Sequence, residues 1–348
     1  MVGRILTAAL QAAGLALFFL GLAPLVRWIG RRAPKILLYH DCADEETSYT
    51  AGLECTTSVQ RFAEHMEWLS RNYRIVDVET IVGGDAPERA VAVTFDDGYA
   101  SVYQNAFPAL KKYRVPATVY LISSAVDNRT LVWVNELNWF LHRHGVQAVE
   151  CVRDHFAVDG SATPDEIITF CRLHYRPEKM TALLEQLRRK FDKPVAEHAA
   201  EASLYLTWNA IEEMTRAGIE FGNHSRTHAN MERLTEDEQR EEIELAQAEL
   251  SSKLPRVRAF AHPFGHHGPS TASLAANAGL GSVAEVGGAN SPVSPLRLGR
   301  THISNESVAG LFARMEVVEP IKEIIRRRTG RSRPATIQPR SPATAPAI

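Results

Sequence analysis

Apolar positions along the chain fall into short dense runs, separated by longer stretches that are apolar on one helical face only. Lys35–His40 ("KILLYH") reads as a buried strand. Ser58 stands where an N-cap is wanted, ahead of a helix that places Phe62, Met66 and Leu69 on one side. The stretch "YRIVDVETIV" gives another short strand, and Arg89–Phe95 ("RAVAVTF") is too apolar to alternate, as expected of a strand covered on both faces. A helix from about Val102 to Tyr113 and a strand over Ala117–Ser123 follow. Between about Leu131 and Ser203 strand signals fade and amphipathic helical patterns take over, which predicts a helical insertion. Alternation then resumes through "TWNAIEEMTRAG", "IEFGNHS", a long charged helix, "VRAFAHPFG", "TASLAANAGL" and "GSVAEVG". Strand and helix in regular alternation predict a parallel α/β sheet or barrel.

The first 34 residues depart from this rhythm. Ile5–Val26 contains Gln11 and no charge, a run long enough to span a bilayer as a helix. Arg27, Arg31, Arg32 and Lys35 follow, with Trp28 as an interfacial aromatic. A signal peptide is the competing assignment, but no A-x-A cleavage site is visible. The expectation is a retained single-pass transmembrane helix over residues 1–34, locating the protein at the cell membrane, with the side of the folded domain left open. Residues 35–328 then form the folded domain. Residues 329–348, rich in Pro, Ser, Thr and Ala, read as a disordered tail.

Composition narrows the options only slightly. The formal net charge is −2 with no broad basic excess, which argues against a nucleic-acid partner. Cys42, Cys55, Cys151 and Cys171 form no C-x-x-C pair, so a zinc knuckle is not expected. Cys42 with Cys55, or Cys151 with Cys171, could be bridged in an oxidising compartment; buried free thiols are the preferred expectation.

Three polar clusters stand where strands end: Asp96-Asp97, His224-Ser225-Arg226-Thr227-His228, and His262-Pro263-Phe264-Gly265. In parallel α/β folds strand C-termini face one crevice, where active sites collect. Two imidazoles four residues apart on a helical turn can reach one cation. H-x-x-x-H lacks the glutamate of the H-E-x-x-H proteases, so a base must come from elsewhere. Asp96-Asp97 supplies two carboxylates, one for a metal and one to take a proton from water. Gly98 permits a tight turn beside them.

The motifs "VTFDDGY" and "HSRTH" resemble those of the polysaccharide deacetylase (NodB homology) family, carbohydrate esterase family 4. The likeness runs in order through "ILLYHD", "NAFPALKKYRVPATVYLI", "LTWNAIEEMTRAGIEFGNHSRTHANMERLT" and "FAHPFG", over roughly Lys35 to Glu306. The resemblance implies a distorted (β/α)7-type barrel and metal-dependent hydrolysis of an N-acetyl or O-acetyl group on a glycan or lipid-linked sugar. By position it implies Asp96 as general base, Asp97, His224 and His228 as ligands of a divalent metal, usually zinc, and the Tyr99 backbone N–H as an oxyanion donor. The third motif, where many members carry an arginine, reads Phe260-Ala261-His262-Pro263 here; Arg300 is the candidate to replace that arginine. His302 is the positional candidate for the general acid, or is a packing residue of the last strand. His40 ends the first strand and either lines the crevice or only hydrogen-bonds within it; His266 and His267 follow the third motif in a loop and could touch substrate, though such residues are more often solvated. Trp133, Trp139 and Trp208 are packing residues before they are sugar platforms. Hydrolysis of a non-sugar amide or cyclic imide, and a non-catalytic glycan-binding module, remain as rival functions.

Overall fold

A computed structural model describes residues 2–157 and 162–329. The tail expected over 329–348 lies outside the described residues apart from Thr329, the last residue of a helix.

Among the described residues ten strands are present: β1 (Lys35–Tyr39), β2 (Asp41–Cys42), β3 (Thr56–Thr57), β4 (Arg74–Ile75), β5 (Ala90–Phe95), β6 (Ala117–Leu121), β7 (Glu220–Asn223), β8 (Ala259–Ala261), β9 (Ser282–Val286) and β10 (Leu298–His302). Seven of them form a closed parallel barrel in the order β1-β10-β9-β8-β7-β6-β5, and β5 pairs back to β1. Every residue of β1, β5 and β6 is buried, which is why these runs do not alternate. The strands β2 and β3 pair separately, and β4 adds to the start of β5. Register aligns Tyr39 with Phe95, Phe95 with Val119, and Leu121 with Asn223. The residues that follow these strands therefore emerge at one end of the barrel.

The helix Val59–Asn72 packs on the outside. Ser58 caps it by accepting from Arg61 N, and the face it buries holds Phe62, Met66 and Leu69 together with His65. Among the described residues the insertion after β6 holds five α-helices, Trp133–His144, Val146–Phe156, Pro164–Leu173, Pro177–Lys190 and Val195–Ala202, and the helix Trp208–Arg216 then leads into β7. Their internal anchor is the buried Glu136, which accepts two hydrogen bonds from Arg188 at 2.7 and 2.6 Å. All four cysteines are free and buried, so neither disulfide forms.

The expected continuous transmembrane helix is not what the N-terminal segment makes. Helix α1 (Val2–Phe19) stops at Gly21, which takes φ +74°, and α2 (Ala23–Ile29) leaves at a bend of 117°. Among the described residues no single helix is long and apolar enough to cross a membrane. One side of α1 is docked on the barrel's outer helices. A Cβ on Gly14 would sit 2.4 Å from the Cβ of Ala313, the Phe18 ring lies tilted against Phe312 with centroids 5.5 Å apart, and Gln11 Nε2 donates to Gly310 O at 3.3 Å. The physical reason is close packing: a glycine opposite an alanine lets the helices approach, and glycine at position 21 permits the left-handed turn.

Candidate active site

The exit of β5 turns sharply. Asp97 and Gly98 both take left-handed backbone conformations, φ +68° and +67°, and a Cβ on Gly98 would meet Leu121 Cδ2 at 2.8 Å. Two successive left-handed residues send the Asp96 and Asp97 side chains in different directions. Asp96 faces the barrel interior. Arg300 of β10 is fully buried there and donates Nη1–H to Asp96 Oδ1 at 2.6 Å and Nη2–H to Oδ2 at 2.7 Å. Such a fork holds a carboxylate in both position and charge. Burial pushes the Asp96 carboxyl up, but Arg300, with His224 and His40, outweighs burial and holds it below the usual carboxylate range.

Asp97 faces the two histidines. Its Oδ1 lies 3.3 Å from Nε2 of both His224 and His228 and takes no well-aligned hydrogen bond from either. Burial raises this carboxyl too, and the imidazoles of His228, His224 and His40 outweigh it, leaving Asp97 well below its ordinary value. Burial lowers His228 to about 3, so its ring is neutral. His224 Nδ1 lies 2.8 Å from the Ala261 carbonyl and donates to it, which turns Nε2 toward Asp97; burial lowers this imidazole, but the carboxylates of Asp96 and Asp97 outweigh burial and hold it above its ordinary value.

The histidines do not share a helical turn, as the four-residue spacing had suggested. They lie on a loop in which Ser225 and His228 are left-handed, at φ +64° and +60°. Polar clamps hold that loop in place of helical hydrogen bonds. Glu242 accepts from the N–H groups of Arg226 and Thr227 and from the Thr227 hydroxyl, Ser225 Oγ accepts from His228 N, and Trp133 Nε1 donates to His228 O at 3.0 Å. Trp133 is therefore a support for this loop. One carboxylate oxygen and two imidazole nitrogens, all within 4.8 Å of one another, make a donor set that suits a divalent metal such as zinc.

These groups open into one small cavity of about 70 Å³, at the C-terminal end of the strands. His40, Asp96, Asp97, Tyr99, His224, His228 and His302 all line it. His40 and His302 stand edge to face with ring centroids 5.3 Å apart, and burial lowers both pKa values. Tyr99 is buried; its hydroxyl accepts from Asn135 Nδ2 at 2.9 Å, and its ring stacks on Tyr205. That bond fastens the first insertion helix to the Asp96-Asp97 turn. A larger cavity, about 370 Å³, lies at the opposite end, beside Thr118, Glu220, Ala259 and Ser282, and holds no such ligand cluster among the described residues.

His262 lies off the cavity, buried and stacked on His267 at 4.6 Å. His266 is buried and bonded to Glu232 at 3.0 Å, so it is not the solvated loop residue its sequence context suggests. The opposite cavity wall was not foreseen. Val134, Ile168 and Arg172 of the insertion line it, with Leu53 and Phe264, and Arg172 lies over the Phe264 ring at 5.7 Å. Apart from Phe264 of "FAHPFG", neither these residues nor the Glu242 clamp stands in a motif, and for Val134, Ile168 and Arg172 only the helical insertion itself hinted at them.

Comparison with known proteins agrees with this architecture. The family description "Polysaccharide deacetylase" matches residues 83–283. The Bacillus subtilis protein YxkH, assigned by name to polysaccharide deacetylases, is 29% identical over 148 residues, which is 40% of this chain and 50% of that protein. The poly-beta-1,6-N-acetyl-D-glucosamine N-deacetylase of Staphylococcus epidermidis is 32% identical over 84 residues, 23% of this chain and 29% of that protein. The chain thus spans half or less of the length of these curated relatives. Among solved structures, the Streptococcus pyogenes deacetylase PplD in complex with acetate superposes with a TM-score of 0.55 at 19% identity, covering 82% of this chain and 98% of that one. IcaB from Ammonifex degensii gives 0.52 at 19% identity, covering 81% and 97%. These likenesses establish the barrel fold. With more than half of its length matched to the family description, the chain belongs to the polysaccharide deacetylase family.

Proposed function

We propose that this protein hydrolyses the acetamido group of an N-acetylated carbohydrate, releasing acetate and a free amino sugar. The observation that carries the proposal is the division of labour between adjacent carboxylates: Asp96 is held by Arg300, while Asp97 faces two imidazoles in the same cavity. A divalent ion held by Asp97, His224 and His228 would supply Lewis acidity toward the acetyl carbonyl and the attacking water. Asp96 takes a proton from that water as its oxygen adds to the carbonyl carbon. Arg300 contacts both Asp96 oxygens and keeps the carboxylate ionised and oriented, which makes it a positioning residue. The Tyr99 N–H is assigned to the developing oxyanion. When the carbon–nitrogen bond breaks, the amine needs a proton, and the rings of His40 and His302 are the imidazoles at hand beyond the metal pair. Burial makes either ring a strong proton donor once charged. The name of the staphylococcal relative supports polymers of N-acetylglucosamine as the first substrate class to try.

The test is acetate release from N-acetylglucosamine oligomers by the zinc-loaded protein. Acetate and free amine should appear together and cease on chelation. Asp96→Asn should reduce kcat about a thousandfold, within the usual range for loss of a general base, while zinc content is retained. Zinc-loaded protein that releases no acetate from any N-acetylated sugar would overturn the proposal, and an active Asp96→Asn would overturn the role given to Asp96.

A further inference from the structure

A helix on a soluble protein turns its apolar face inward; α2 turns it outward. Leu22, Leu25, Trp28 and Ile29 recur at helical spacing on one side of it and are 41%, 54%, 59% and 69% exposed. Phe19 and Leu20, at the bend just before, are 77% and 72% exposed. The elbow between the two helices therefore presents one continuous apolar surface, of the kind that marks an interaction site. The opposite face of α1 is occupied: Gln11, Gly14 and Phe18 are committed to Gly310, Ala313 and Phe312.

Charge beside the elbow is of one sign along the chain. Residues 1–40 contain no Asp or Glu, and Arg27, Arg31 and Arg32 cluster at the end of α2. Arg31 lies over the Trp28 ring at 4.5 Å, and the Arg32 side chain is 82% exposed. Glu88, the acidic group that meets Arg31 and Arg32, offsets one of these three charges. An outward apolar face edged by arginines, with a tryptophan at its rim, has the chemistry of a helix that lies in the interface of an anionic bilayer.

We propose that the α1–α2 elbow attaches the protein to the surface of an anionic membrane. The apolar side chains of α2 and the bend enter the headgroup region, and the arginines meet lipid phosphates. The elbow lies on one leaflet and does not cross, because α1 is fastened along its inner face to the barrel. This attachment is independent of the hydrolytic reaction.

Flotation of the full chain with vesicles tests it. The protein should float with phosphatidylcholine vesicles containing about a third phosphatidylserine, float far less with phosphatidylcholine alone, and come off in alkaline carbonate, as a spanning segment does not. Leu25→Glu and Trp28→Glu change exposed side chains, so they should keep the thermal midpoint while lowering bound protein about tenfold each, the effect expected of moving one large apolar group back to water. Wild-type protein that stays in the soluble fraction overturns the proposal. So does protein that resists carbonate, which would make the elbow a span. A dimer by light scattering that Trp28→Glu dissociates, with no flotation, would assign this face to a second copy and equally overturn it.

Discussion

On the barrel side of the cavity, His40, Asp96, Asp97, His224 and His302 all stand at strand ends, where backbone register and paired charges leave each side chain one position. On the insertion side, Val134 comes from one helix and Ile168 and Arg172 from another, and the first two meet the cavity through apolar surface. The first wall is held by a few strong polar contacts, the second by packing. Such a division implies that chemistry resides in the barrel and fit resides in the insertion. The two walls should therefore fail differently when altered.

The largest failure is expected at Arg300. Arg300→Gln leaves Asp96 as a buried carboxylate without its fork of donors, and breaking a buried pair by removing one partner costs about 3–5 kcal/mol. The sign of the pH effect follows. In the native protein Asp96 titrates below its ordinary value, so the stability it contributes is present above about pH 4 and is lost as pH falls further. Without Arg300, burial acts with less opposition and the carboxyl moves up. The acid limb of kcat/KM should shift to higher pH, and urea unfolding should show the lost stability. A pH profile that superposes on wild type would remove Arg300 from the barrel-side chemistry.

A second effect lies just behind the same wall. His65 is buried between the Tyr39 hydroxyl, 3.1 Å from Nδ1, and the Glu306 carbonyl, 2.9 Å from Nε2. Burial lowers it from 6.5 to about 4. The unfolded chain therefore binds a proton before the folded one does, and stability is lost as pH falls from 6.5 toward 4. The full effect is about 3 kcal/mol, of which about 2 kcal/mol is gone by pH 5. His65→Gln cannot take up that proton. The stability gap between wild type and His65→Gln, measured by urea midpoints, should narrow by about 2 kcal/mol between pH 7 and pH 5. A constant gap would mean that this imidazole takes up its proton in the fold at the same pH as in the unfolded chain.

The same contrast explains what could be read from the chain. "VTFDDGY" and "HSRTH" carry their chemistry in adjacent residues at strand ends, so the closed barrel and the meeting of Asp97, His224 and His228 were both legible. Arg300 was legible only as a substitute for an arginine missing elsewhere, because nothing local to "LRLGRTHIS" says that its side chain points inward. The helical turn assigned to His224–His228 was not formed, since Glu242, sixteen residues beyond Arg226, satisfies that loop's donors instead. The single continuous helix expected at the N-terminus is broken for a similar reason. Apolar length was visible, but the docking of Gly14 on Ala313, some three hundred residues later, was not. The insertion wall was the least legible, because a cavity-lining isoleucine looks like any other apolar face residue.

The smallest effect should come from that wall. Ile168 is 6% exposed and touches the cavity without reaching Asp96 or the metal ligands by any polar group. Ile168→Ala removes apolar contact that substrate and transition state share. Loss of such shared binding raises KM and leaves kcat alone. An increase in KM of about fivefold corresponds to about 1 kcal/mol, with kcat within about twofold of wild type. Some stability is also lost to the cavity created, about 2–4 kcal/mol, so the kinetics belong at a temperature well below the variant's melting point. If kcat fell instead, toward the level of Arg300→Gln, Ile168 would be positioning the reacting groups. The separation between a wall for chemistry and a wall for fit would then be wrong at its simplest residue.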